Sequence, residues 1–99
     1  MTDRIALDAY VLDVLMPDLV RHDRRPAAYL VYLYLWRRTE GARRKATASY
    51  QMISDGTGLS KRGAQEALRV LVRRQLVTVK RSSPTAAPSF ALECHWRAR

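Results

Sequence analysis

The stretch Ser49-Tyr50-Gln51-Met52-Ile53-Ser54-Asp55-Gly56-Thr57-Gly58-Leu59-Ser60-Lys61-Arg62-Gly63-Ala64-Gln65-Glu66-Ala67-Leu68 decides how the rest of the chain is read. Ser49 is a helix-capping residue type, and Tyr50 to Ser54 follow it as a short helix. Gly56-Thr57-Gly58 reads as a turn, with Gly58 free to take the positive φ that a sharp reversal needs. Leu59 stands where an apolar side chain would plug the angle between two helices. Ser60 caps a second helix that runs to about Gln75, with Ala64, Leu68, Leu71 and Val72 on its buried face.

Working outward, Leu76-Val77-Thr78-Val79-Lys80 alternates as a strand, and Ser89 to Cys94 alternates as its returning partner. Arg81 to Pro88 forms the loop between them, and the tail Arg97-Ala98-Arg99 is expected to fray. Toward the N-terminus, Ala46-Thr47-Ala48 reads as a very short strand behind a basic loop, Gly41 to Lys45. Pro26 opens the strongest helix, Ala27 to Arg38, and Gly41 stops it. Its alternation also fits a strand, but its length, the Pro26 start and the terminal Arg37-Arg38 decide for helix. Being apolar almost all round, it is either central or packs one face on a second copy. Further upstream, Ile5, Leu7, Leu12 and Leu15 predict an amphipathic helix ending near Met16. Pro17 should break it and start a short helix carrying Leu19 and Val20.

Ninety-nine residues make one domain, with a helical part over residues 1–40 and the helix-turn-helix and strands over 46–94. A 47% hydrophobic and 27% charged composition is that of a folded globular chain. The longest apolar run, Ala27 to Trp36, is half of what a membrane span requires, so no membrane association is expected. The N-terminus carries no secretory pattern, and the single cysteine, Cys94, excludes an internal disulfide framework; both fit a cytoplasmic protein. The net charge of +9 is unevenly placed. Residues 1–40 hold six basic and six acidic side chains, whereas residues 41–99 hold twelve basic and three acidic ones. Such a one-sided excess is the footprint of a polyanion partner, because Lys and Arg that neutralise phosphates release condensed counterions.

The run from Ser49 to Leu68 resembles the helix-turn-helix of bacterial winged-helix regulators. Ile53-Ser54 stand for that family's first small pair and Thr57-Gly58-Leu59-Ser60 for its turn, while Ala64, Leu68 and Leu71 supply the apolar series. Arg73-Arg74-Gln75-Leu76-Val77 is similar to the helix end and first wing strand, with Gln75 where the family often has glycine. The resemblance covers roughly Ala46 to Cys94. It implies a mainly α fold with a small β-hairpin wing, a winged helix-turn-helix preceded by N-terminal helices, that binds double-stranded DNA as a transcription regulator.

In that arrangement the second helix enters the major groove by its N-terminal end, where Ser60, Lys61, Arg62, Gln65 and Glu66 stand, with Arg69 one turn on. Arg62 and Gln65 are the base-reading candidates, since Arg pairs with guanine and Gln with adenine in two-point contacts. Lys61, Ser49 and Tyr50 are phosphate candidates, which set register without reading sequence. Lys80, Arg81, Ser82 and Ser83 would form a basic wing tip, and Arg43, Arg44 and Lys45 a second backbone patch. Gly63 points either to close approach of DNA or to packing. Arg73 and Arg74, at a helix C-terminus, read as dipole partners, and Tyr29, Tyr32, Tyr34 and Trp36 as core or dimer seam.

Catalysis finds no support: His22 and His95 lie far apart, and no phosphate-cradling glycine loop is present. Cys94-His95 has no second ligand pair at metal spacing, so neither metal nor cofactor is expected. A homodimer through the neutral part would read two half-sites about 34 Å apart. Two other classes compete: a winged-helix module that docks protein, as in a replication or partition assembly, and an RNA-binding module. The Lys61-Arg62 cluster and basic wing weigh against the first, and the confinement of aromatics to the core weighs against the second.

Overall fold

Pro26 opens the helix on which the other elements pack. This helix, α1 (Pro26–Arg38), occupies the centre of a computed structural model that describes residues 3–97. Its side chains Ala28, Tyr29, Val31, Tyr32, Leu35 and Trp36 are buried, and Leu30 alone among its large aliphatic side chains is strongly exposed. Two of its aromatics have their polar ends satisfied by the N-terminal stretch: the Tyr29 hydroxyl donates to the Val11 carbonyl at 2.9 Å, and Trp36 Nε1 donates to the Ala6 carbonyl at 2.7 Å. The helix stops at Thr39, whose buried hydroxyl donates to the Leu35 carbonyl and accepts the Ala42 amide. Glu40, Gly41 and Ala42 then turn through three successive positive φ angles.

The N-terminal stretch departs from expectation at Pro17. The chain stays helical from residue 9 to 22, and contains two wide π-helical segments, Val11–Leu15 and Asp18–His22. Proline breaks an ordinary helix because it lacks an N–H and its ring collides with the carbonyl four residues back. Here the Met16 amide reaches five residues back to Val11, and Pro17 keeps a helical φ of −65° at the junction of the two wide turns, which loosens that crowding. The wider turns also change which residues face inward. Val11, Leu15 and Leu19, spaced by four, are buried, whereas the expected Ile5 and Leu12 are exposed and Leu7 only half-buried.

Next come β1 (Ala46–Thr47), α2 (Tyr50–Thr57), α3 (Lys61–Arg73), β2 (Val77–Lys80) and β3 (Ser89–Leu92). Helix α2 runs on through Gly56 instead of ending before it. A Cβ at Gly56 would lie 2.2 Å from the Tyr34 ring of α1, so the two helices approach here because no side chain intervenes. Gly58 alone makes the turn, at φ +83°. In α3 the buried strip is Ala64, Ala67, Leu68, Val70 and Leu71; the 3.6-residue repeat carries Val72 past its edge into solvent. The helix ends at Arg73, and Gln75 takes the left-handed φ of +60° that the missing glycine would have held. The Leu76 amide reaches back to the Leu71 carbonyl and the Gln75 amide to Val72, which closes the helix end.

The three strands form one antiparallel sheet in the order β1-β3-β2, with Phe90 between Ala46 and Val79 and with Leu92 opposite Val77. Phe90, Leu76 and Val77 join the side chains of all three α-helices in one core. The architecture is therefore mainly α with a small sheet after the helix pair, as a winged helix-turn-helix requires. Arg97 is not frayed: it binds the Asp8 carboxylate and the Gly41 carbonyl, while Trp96 stacks on Tyr10 and donates to Asp8. The other two residues of the predicted frayed tail, Ala98 and Arg99, lie outside the described residues. Among the described residues no helix is long and apolar enough to cross a membrane.

Candidate nucleic-acid interface

The four residues Thr57 to Ser60 each do one structural task. The Thr57 hydroxyl donates to the Ile53 carbonyl at 2.7 Å and accepts the Leu59 amide at 3.2 Å. Gly58 supplies the left-handed angle, and Leu59 is half-buried against the core. The Leu59 carbonyl accepts the Ser54 hydroxyl at 2.5 Å, which ties the turn to α2. Ser60 accepts the Gly63 amide at 2.9 Å and starts α3. Ser49 caps α2 in the same way through the Met52 amide. Both capping oxygens are occupied as acceptors, and each keeps its O–H to donate to a phosphate. Neither helix has an acid in its first turn, so the positive ends of both dipoles stand uncompensated.

The exposed face of α3 gathers Lys61, Arg62, Gln65, Arg69 and Arg73. Lys61, Arg69 and Arg73 make no ion pair among the described residues, and Gln65 makes no side-chain hydrogen bond there. Arg62 is 87% exposed and, among the described residues, forms an ion pair with Glu66 alone, with 3.6 Å between Nε and the carboxylate. A loose pair one turn apart on a helix surface contributes about 0.3–0.5 kcal/mol, so it holds Arg62 weakly. Glu66 sits at the edge of this face, in a groove shared with Arg25, Ala27, Gly63 and Ala67 at the start of α1. On the other edge, a groove of about 410 Å³ separates α3 from the sheet, lined by Tyr50, Gln65, Arg69, Val72, Val79 and Phe90. Arg73 belongs with this face and was not among the expected contacts; its spacing of four from Arg69 and eight from Gln65 is the signal that marks it.

The wing residues divide. Lys80 lies on the outer face of the sheet in a groove shared with Lys45, Thr78 and Glu93. Arg81 turns the other way. Its guanidinium lies 5.6 Å from the Tyr50 ring centroid, donates to the Tyr50 hydroxyl at 3.2 Å, and donates to the Ala86 carbonyl at 2.8 Å. It thus fastens the wing loop to the start of α2. Ser82 is exposed in that loop. The basic loop before β1 is splayed likewise: Arg44 meets Glu40 at 3.8 Å, and Arg43 faces a groove beside Trp36 and Arg97.

Arg74, expected to serve the helix dipole, instead holds Asp18 and Asp23, one nitrogen to each carboxylate. This clamp joins the end of α3 to the N-terminal helical stretch. Hydrogen bonds from His22 and from Arg74 hold the Asp23 carboxyl below the usual carboxylate range, against the opposing effect of burial. Asp18, His22 and Asp23 bring potential metal-ligand atoms within 4.8 Å of one another, but the Arg74 guanidinium already supplies the positive charge there. Burial raises the Cys94 thiol above its ordinary value, and its sulfur faces the Tyr32 hydroxyl at 4.0 Å.

A family model described as a helix-turn-helix domain matches residues 25–77, more than half of the chain. The chain belongs to that family. No curated protein and no solved structure matches it. Helix-turn-helix domains bind DNA by laying the second helix of the pair in the major groove. In this helix-turn-helix domain the match begins at the residue before α1 and ends on the first residue of β2. It therefore takes in α1, which the resemblance from Ala46 onward had left out. The N-terminal stretch and the wing lie outside it.

Proposed function

We propose that the chain is a sequence-specific reader of double-stranded DNA that acts as a transcriptional regulator of the bacterial winged-helix type, without enzymatic activity. The observation that carries this reading is the outer face of α3, where Arg62, Gln65 and Arg69 stand together with Lys61 at one end and Arg73 at the other. Arg62 and Gln65 read base edges, as guanidinium on guanine and carboxamide on adenine. Lys61, Arg69, Ser60, Ser49 and Tyr50 hold phosphates and fix the register. Glu66, at the edge of the face, restrains Arg62 and opposes misplaced phosphate. Arg81 sets the angle of the wing, so that Lys80 and Ser82 reach a neighbouring backbone. Two copies bind together, one per half-site, with the neutral N-terminal part between them.

The test is fluorescence anisotropy on a library of duplexes at two salt concentrations, with wild type and the double variant Arg62→Ala, Gln65→Ala. Tight binding to a subset of sequences is expected. Each lost two-point contact should cost about 1–3 kcal/mol on that subset and little elsewhere. Binding that is weak, steeply salt-dependent and indifferent to the double change would reduce the face to a nonspecific polyanion surface. No binding at low salt would leave a protein-docking module as the reading.

A further inference from the structure

The helical stretch over residues 9–22 presents rows of side chains spaced four residues apart. One row, Val11, Leu15 and Leu19, is buried in the core. The next, Leu12, Met16 and Val20, is equally apolar but remains 44%, 39% and 39% exposed. Beside it runs a third row, Asp13, Pro17 and Arg21, also exposed, with an acid at one end and a base at the other. Neither Asp13 nor Arg21 has an ion-pair partner among the described residues.

We infer that this apolar row is the contact with a second copy of the chain, laid antiparallel and centred on Met16. A two-fold axis perpendicular to both helices sets Leu12 of one copy against Val20 of the other, and Met16 against Met16. The same axis keeps the charged row on one side of both helices. Asp13 of each copy then falls beside Arg21 of the other, so the surface is complementary to itself, as an isologous contact demands. A parallel pairing would carry the two charged rows to opposite sides of the seam, where Asp13 and Arg21 of one copy would not face those of the other. Helix α1 does not serve, because Leu30 is the one large aliphatic side chain that it leaves strongly exposed, too little for a seam. The seam lies outside the family-matched residues 25–77.

The inference rests on the reading of the protein as a homodimer on DNA, but its test needs no DNA. Sedimentation equilibrium of the full chain is measured from about 10 µM to about 500 µM, a range that suits an interface at the small end of the known sizes. Wild type should move toward the dimer mass, and Met16→Glu should stay monomeric. Asp13→Arg and Arg21→Asp should each weaken association at least about threefold, as like charges meet, and the two together should restore it. Thermal melts by circular dichroism check that the variants, all at exposed positions, remain folded. A wild type that is monomeric throughout, a dimer indifferent to Met16→Glu, or a double reversal that restores nothing would overturn the inference. A dimer that forms as described while DNA binding fails would overturn the DNA reading alone.

Discussion

Helices α1 and α3 are each thirteen residues long and pack against one another, yet they dispose their side chains in opposite ways. Helix α1 is apolar on almost every side and is covered by the N-terminal stretch, α2, α3 and β3 in turn. Helix α3 is apolar on one strip only, and its other face carries Lys61, Arg62, Arg69 and Arg73 into solvent, with Gln65 half-buried among them. Position in the fold follows from this difference. A helix that can bury everything becomes the centre, and a helix that can bury half becomes a surface presented by that centre. The rigidity of the second depends on the first. The exposed face of α3 is held at a fixed angle because Ala64, Ala67 and Leu71 sit in the core that α1 organises.

Damage to one helix at a time separates their two roles. Trp36→Ala in α1 removes a fully buried ring and its hydrogen bond to Ala6, and should cost about 3–5 kcal/mol of stability. At 25 °C the folded fraction that remains should still bind DNA with wild-type affinity. Arg69→Ala in α3 should do the reverse. Stability should stay within about 0.5 kcal/mol, since the side chain is exposed and unpaired among the described residues, while affinity falls. If Arg69 contacts a phosphate, the slope of log affinity against log salt should shrink by about one. Urea melts and anisotropy titrations on the same two variants separate the effects. A stability loss at Arg69 matching that at Trp36 would erase the distinction between the helices.

A second test concerns two carboxylate clamps, one at the end of α3 and one at the C-terminal tail. The carboxyl of Asp23 is held below its ordinary value of 3.8 by His22 and Arg74, and that of Asp8 by hydrogen bonds from Arg97 and Trp96. A carboxylate whose folded value is depressed contributes stability above its unfolded value and loses it as pH falls through the folded one. The domain should therefore keep full stability at neutral pH and weaken as pH drops below about 4, near the unfolded value. Asp8→Asn with Asp23→Asn should be less stable than wild type at pH 7 and show a flatter acid limb. Urea midpoints between pH 7 and pH 2.5 measure both, and an acid limb unchanged by the double variant would mean that these two clamps do not set it.

These clamps also mark where a linear reading stops. The turn was legible because its information is local: Thr57, Gly58, Leu59 and Ser60 satisfy one another within a few residues. The helix opened by Pro26 was legible for the same reason. The partners of Arg74, Arg97 and Arg81 were not, because Asp18, Asp8 and Tyr50 lie 56, 89 and 31 residues away. An arginine at a helix end satisfies a local rule equally well whether it serves the dipole or a distant carboxylate. Pro17 misled for a related reason: the rule that proline ends a helix assumes ordinary turns, and wide turns relax it. Among the candidate contacts, charge and position on α3 could be read from spacing, but the division between Lys80 and Arg81 required the sheet to exist.

The smallest effect concerns how α3 is closed, at a residue where local preference and local geometry disagree. Gln75 holds φ +60° although glycine is the residue that takes this angle without strain. It does so because the alternative is worse. The Leu76 amide reaches back to Leu71 only if residue 75 is left-handed, and Leu76 is then buried at the start of the sheet. The core therefore enforces the angle, at a cost of about 1 kcal/mol for a side chain that gains nothing from it. Gln75→Gly removes that strain but also gives the unfolded chain more freedom, so the net gain should be below about 1 kcal/mol. A rise of a few degrees in the thermal midpoint, with DNA affinity unchanged, is the expected result. A fall would mean that the exposed Gln75 side chain contributes more to the folded state than its surroundings indicate. The counterpart in α1 is Glu40, which closes that helix at φ +53° with its own amide on Arg37 and the Gly41 amide on Trp36.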